Sequence, residues 1–178
     1  MRLVRTSVQL GLALSSLAVL TACDQPKPRP PGAEAPAAGP AAAQNTEPMP
    51  AVPAWAVALV GKPFKEAFPG AEASCLGNTD NVDKRYQGAS PGVRVVGWGW
   101  DPAAKAAVQR VVLVDADARI VGGGDTGMAR PDVTSARPDI TSPTTGWAAL
   151  TSKTSGPVDA YGIVGDGKSL CRLGHLEI

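Results

Sequence analysis

Chemistry in this chain has few reactive residues to work with: a single histidine, His175, three cysteines, and carboxylates scattered through its second half. One histidine cannot assemble a zinc cluster, and no nucleophile is marked for it to activate. Asp115, Asp117 and Asp125 could offer oxygen ligands to calcium. They lack the dense spacing and closing Glu of an EF-hand loop, so a solvated hairpin is the expectation and no metal site is assigned. No Gly-x-Ser-x-Gly, phosphate loop, His-Glu-x-x-His or dinucleotide fingerprint is present, and Gly122-Gly123-Gly124 leads into Asp125 with no helix to follow. The expectation is therefore a protein that is not an enzyme and uses no cofactor. A hydrolase ranks third among the functional readings, because paired carboxylates for glycoside chemistry are brought together only in three dimensions.

The remaining candidates concern binding. Trp98, Trp100 and Trp147 are expected to anchor a core, with a sugar-stacking platform as the alternative. In the strand around residues 92–101 a bulge at Gly97 would set Val93, Val95, Trp98 and Trp100 on one face. Arg130 and Asp132 flank Pro131, which fixes φ, and are expected to hydrogen-bond the backbone of a long loop rather than a ligand. Arg137-Pro138-Asp139-Ile140 repeats the pattern seven residues later.

Elements that could position these residues begin after residue 22. Arg2 and Arg5 precede an apolar run from about Val8 to Leu20, too short and too interrupted by Ser15 and Ser16 for a transmembrane helix. Leu20-Thr21-Ala22-Cys23 resembles the lipobox of bacterial lipoproteins. The resemblance covers the first 23 or so residues and implies cleavage before Cys23, a diacylglycerol thioether on its sulfur and an acylated amine, a durable hold on a membrane. Asp24 resembles an inner-membrane retention signal, so the expected location is a bacterial membrane with the body facing the periplasm, the inner membrane slightly favoured over the outer. Once Cys23 is assigned to lipid, Cys75 and Cys171 remain as a pair in an oxidising compartment, and a disulfide between them is expected.

The mature chain loses two of its 17 basic residues against 16 acidic ones, which leaves no basic field to attract nucleic acid. Residues 23–54 form the lipidated cysteine and a Pro/Ala-rich tether with no apolar periodicity, expected to be disordered. A helical lead-in spans 55–70, where Trp55/Leu59 and Phe64/Phe68 are i,i+4 pairs expected to cover an open end of the main core. Residues 71–178 form the β domain. Strands are expected near 73–84, 92–101, 107–115, 118–123, 145–152, 157–164 and 168–174, with a hairpin turn at Asp166-Gly167 and an irregular stretch over 124–144. About seven short strands without long helices predict a mainly β, antiparallel sandwich.

Gly97-Trp98 with Asp101, the strand Val111-Val112-Leu113-Val114-Asp115, Gly122, Gly127, Arg130-Pro131-Asp132-Val133 and Gly146-Trp147 together resemble a bacterial immunoglobulin-like module. Cys75-Leu76-Gly77-Asn78-Thr79-Asp80-Asn81-Val82 is similar to its opening strand, which extends the match over about residues 75 to 170. Such modules occur in envelope and surface proteins, and the family implies no settled catalytic activity. The chain departs from the pattern at Asp115-Ala116-Asp117 and in its cysteine pair. The resulting expectation is a lipid-anchored envelope protein whose immunoglobulin-like domain is a non-catalytic interaction or accessory module, partnered by membrane lipid through Cys23 and by an envelope protein or glycan. A carbohydrate or peptidoglycan-fragment binder is the runner-up.

Overall fold

Val111-Val112-Leu113-Val114 is apolar at every position and rich in β-branched residues, a pattern that suits a strand covered on both faces. A computed structural model describes residues 46–178 apart from 71 and 166, and it places this run in such a position. The signal segment, Cys23, Asp24 and most of the Pro/Ala-rich stretch lie outside the described residues, as does Asp166 of the expected turn. The elements are α1 (Ala54–Val57), α2 (Phe64–Ala67), β1 (Leu76–Tyr86), β2 (Gly92–Asp101), β3 (Ala106–Ala107), β4 (Arg110–Asp115), β5 (Ile120–Met128), α3 (Pro131–Ala136), β6 (Gly146–Thr151), β7 (Pro157–Val164) and β8 (Ser169–Glu177). The domain is mainly β and antiparallel, with short helices only. The stretch 124–144 is more regular than its composition suggested, because β5 runs on to Met128 and α3 fills part of the remainder.

All eight strands belong to one sheet, in the order β1-β2-β6-β5-β4-β7-β8 with β3 paired to β2, and every ladder is antiparallel. The sheet curls until its edges meet. A Cβ on Gly77 of β1 would fall 2.5 Å from Leu173 Cδ2 of β8, and one on Gly174 would fall 3.0 Å from the Thr79 nitrogen. Cys75 and Cys171 are disulfide-bonded across this seam, with their Cα atoms 5.6 Å apart. Edge strands left open would offer unpaired backbone groups to other chains; here each edge is shielded by the other.

The curl has an inside and an outside, and each carries a core. Val93, Val95, Val111, Leu113, Trp147 and Leu173 fill the inside. On the outside, Val112, Val114, Ile120 and Ile163 pack beneath Phe64 and Phe68. The lead-in thus covers the outer face of β4, β5 and β7, not an open end of the main core. Gly123 permits it: a Cβ there would meet Ala56 Cβ at 2.8 Å and the Trp55 ring at 3.2 Å. Gly61, with φ 86°, breaks the chain between α1 and α2. Ahead of α1, residues 46–53 lie along the β1–β2 turn, held by Met49 N–H donating to Ser90 O at 2.9 Å and by Lys84 Nζ 2.7 Å from Glu47.

Candidate functional site

Strand β2 alternates without interruption, and this decides where its tryptophans go. Val93, Val95 and Gly97 face inward; Trp98 and Trp100 face outward, against Leu76, Val133 and Ile140. The bulge expected at Gly97 is absent. The register shifts lie instead on β1, between Thr79 and Asn81 and between Val82 and Lys84. Gly97 is needed for a different reason: its cross-strand partner Trp147 lays its ring where a Cβ would stand. Trp147 is fully enclosed and Trp100 is 2% exposed, while Trp98 is half-buried beside the α3 segment. The three indoles are split between two cores and form no shared flat surface.

The β1 irregularity between Thr79 and Asn81 leaves Asp80 out of register, and it is this carboxylate that Arg130 reaches, Nη1 to Oδ2 at 2.6 Å. The other edge of the same guanidinium forks onto Asp132, with Nε to Oδ1 at 2.9 Å and Nη2 to Oδ2 at 2.7 Å. Arg137 and Asp139 form the same two-residue fork at 3.2 and 3.1 Å. Both Arg-Pro-Asp copies therefore bind guanidinium to carboxylate; of the hydrogen bonds to loop backbone expected for Arg130 and Asp132, the Asp132 carboxylate makes some, to the backbone of residues 132 and 133. The loop backbone is held by its own groups, including Arg130 N–H to Pro143 O at 2.6 Å. The hydrogen bonds that Arg130 donates hold the Asp132 carboxyl below its ordinary range, and having Asp132 and Asp80 as acceptors pushes Arg130 up. Gly146 lets the arginine stem pass, since a Cβ there would sit 2.8 Å from Arg130 Cγ.

Residues singled out from the sequence thus converge at one end of the curl: Asp80, Trp98, Trp100, Arg130, Asp132 and Gly146, with the Cys75–Cys171 bond nearby in the register. Asp101 joins them as a turn cap, accepting from Ala103 and Ala104 N–H at 2.9 and 3.2 Å. Asp80, Arg130 and Asp132 contact one another, while Trp98 and Trp100 pack with Leu76, Val133 and Ile140. Asp115 likewise closes the β4–β5 turn, accepting from the Asp117 and Arg119 N–H groups at 3.0 Å each. Asp125 is elsewhere, accepting from Trp55 Nε1 at 3.0 Å.

The concave surface is in a different place. A groove of about 290 Å³ runs along the outer face beneath α2, with Phe64, Phe68, Val114, Tyr161 and Leu170 as its apolar lining. The Phe64 and Tyr161 rings lie 4.5 Å apart between centroids. Its charged lining among the described residues is Glu72, Asp115, Asp159 and Lys65, with Lys153 3.9 Å from Asp115, and a smaller extension continues past Ala116 to His175. Asp159 accepts from Arg172 Nη2 at 2.7 Å and stands 3.1 Å from His175 Nδ1. Burial pushes its carboxyl up, but those two partners outweigh burial and hold it below the ordinary value. Burial, then the Asp159 charge, pushes the Tyr161 phenol up. Sequence reasoning passed over this surface. Its only signal was that Asp159 and Tyr161 alternate with Val158 and Ala160, which marks an outward face without saying that α2 would roof it.

No protein-family model, curated protein or solved structure matches the chain. The immunoglobulin-like resemblance accordingly rests on the motif residues themselves.

Proposed function

We propose that the protein is a lipid-anchored, periplasm-facing envelope lipoprotein whose β domain is a non-catalytic interaction or accessory module. One observation carries the reading: Cys75 and Cys171 are bonded to each other, so Cys23, at the lipobox position, is left as the single cysteine outside the pair. A structural disulfide also suits an exported protein. Asp24 favours the inner membrane. The Gly-Trp, Arg-Pro-Asp-Val and Gly-Trp-x-x-Asp motifs of the sequence are the support for kinship with immunoglobulin-like modules; the single curled sheet differs from two stacked ones. Burial of Trp100 and Trp147 counts against a tryptophan platform for glycans. Asp115 and Asp159 share a groove, yet each is engaged, one by turn amides and the other by Arg172 and His175, so a general acid–base pair for hydrolysis gains little support.

Intact mass and peptide mapping of the native protein extracted from membranes test the proposal. A diacyl or triacyl adduct on Cys23 is the expected result, and Cys23→Ser is expected to release the protein into the soluble fraction. An unmodified Cys23 in membrane-extracted material overturns it.

A further inference from the structure

We infer that the inner face of the curl binds an ordered water molecule that bridges Trp147 Nε1 and Thr79 Oγ1. The inference goes beyond the lipoprotein reading and does not depend on it. Four buried side-chain polar atoms find no hydrogen-bond partner among the described residues: Thr79 Oγ1, Thr126 Oγ1, Thr145 Oγ1 and Trp147 Nε1. Three of them belong to one row of the sheet, in which Thr79 pairs with Gly97 of β2, Gly97 with Trp147 of β6, and Trp147 with Thr126 of β5. Cross-strand partners share a face, and this row faces inward: Trp147 is part of the inner core, and Asp125, next to Thr126, reaches outward to Trp55. Thr145, fully buried and two residues before Trp147, continues the same face.

Gly97 brings two of the four atoms together. The Trp147 ring lies over it, with Cε2, the carbon that carries Nε1, 2.7 Å from where a Cβ would stand, and Thr79 is its partner on the opposite strand. Across the seam, Thr79 Oγ1 faces Gly174, 2.9 Å from the position of a Cβ there. The chemistry selects the occupant. An indole N–H only donates and a hydroxyl both donates and accepts, so the bridging species must accept from the indole and can do either with Thr79. Water does both. An ion would give up its hydration among side chains that carry no charge, and a larger molecule would have to displace Val95 or Leu173 from the inner core. Buried polar groups without partners carry their whole desolvation penalty, which a water held by several of them removes.

The test is oxygen-17 relaxation dispersion of the solvent, which counts waters held by a protein for longer than nanoseconds, on the full mature chain with its disulfide intact. Thr79→Val keeps the shape of the side chain and removes the hydroxyl. It is expected to lose a long-lived water relative to the wild type and to melt about 4 °C lower, as the loss of a hydrogen bond does in a domain of this size. Thr79→Ser keeps the hydroxyl and is expected to keep the water. An unchanged count in Thr79→Val overturns the inference. So does a rise in its Tm, because removing a dry, unpaired hydroxyl relieves a penalty. A count that falls as far in Thr79→Ser overturns it too, since the loss would then follow packing and not the hydroxyl. Should Thr79→Val not fold, the wild-type chain decides: a nuclear Overhauser effect from water to the Trp147 indole proton is expected, and its absence overturns the inference. None of these results touches the mass of Cys23, so the lipoprotein reading stands or falls separately.

Discussion

Removing the Cys75–Cys171 bond, by Cys75→Ala with Cys171→Ala or by reduction alone, is expected to destabilise this domain about as much as losing a large core side chain. The bond spans 96 residues and joins strands at opposite ends of the sheet order, so nearly the whole domain lies inside the loop it closes. Chain-entropy arithmetic for a loop of that length gives about 4.7 kcal/mol at 25 °C, acting through the unfolded chain, which the bond confines. For roughly 130 ordered residues that corresponds to a fall in Tm of about 17 °C. In urea, with a slope of about 2 kcal/mol/M, the midpoint is expected to drop by about 2 M, and the slope itself should rise as the freed unfolded chain exposes more surface. Reduction is the cleaner arm, since it leaves the sulfur volume at the enclosed Cys171, whereas the alanine pair adds a packing loss. Equilibrium urea unfolding followed by tryptophan fluorescence measures all of this. A loss below about 1 kcal/mol with an unchanged slope would refute the reasoning, because it would mean that the unfolded chain does not feel the closure.

Trp100→Ala is expected to destabilise by about 3 to 5 kcal/mol, read as a lower urea midpoint; a stable variant would show that Trp100 is not a core residue. Gly97→Ala should cost at least about 2 kcal/mol by thermal melting, since a methyl there overlaps the Trp147 ring and the Asn78 carbonyl; a neutral result would mean that the indole stacks elsewhere. A double-mutant cycle of Arg130→Ala with Asp80→Ala should return a coupling of about 0.5 to 1 kcal/mol, and zero coupling would show that the bulge does not serve the pair. Asp132 and Asp159 are depressed in the folded state, so the stability they confer is complete above the ordinary carboxylate range and lost as pH falls through their folded values. Urea midpoints should therefore decline steeply in acid, and Arg172→Gln should flatten part of that decline; an unchanged profile would dissociate Asp159 from its partner.

Strand positions were legible because alternation and turn residues are local: β2 and β7 begin and end where Gly, Pro and Asp punctuate the chain. The face of each tryptophan was not legible. A bulge on β1 and a bulge at Gly97 fit the apolar pattern of β2 equally well, and the choice between them is made by Trp147, which lies 50 residues further on. The Arg-Pro-Asp repeat announced a stiff turn, but the partner that matters most, Asp80, sits on a strand whose irregularity has no residue signature. The groove was hidden for a similar reason. Phe64 and Phe68 read as apolar residues in search of a core, and only the curl of the sheet shows that they have an outer face to cover, leaving a gap beside it.

Contacts of Glu47 and Met49 with the β1–β2 turn fix where a leash would leave the body. If Cys23 carries the lipid proposed above, the 22 residues between Cys23 and Thr46 could reach about 68 Å at the fully extended limit. The strand register puts the β1–β2 turn at Gly92 and Asp80 of the fork opposite Val96 and Gly97, about halfway along β2 and roughly 15 Å from the turn. Under the proposed anchoring, a partner of the fork must then come within about 80 Å of the lipid, the sum of those two lengths.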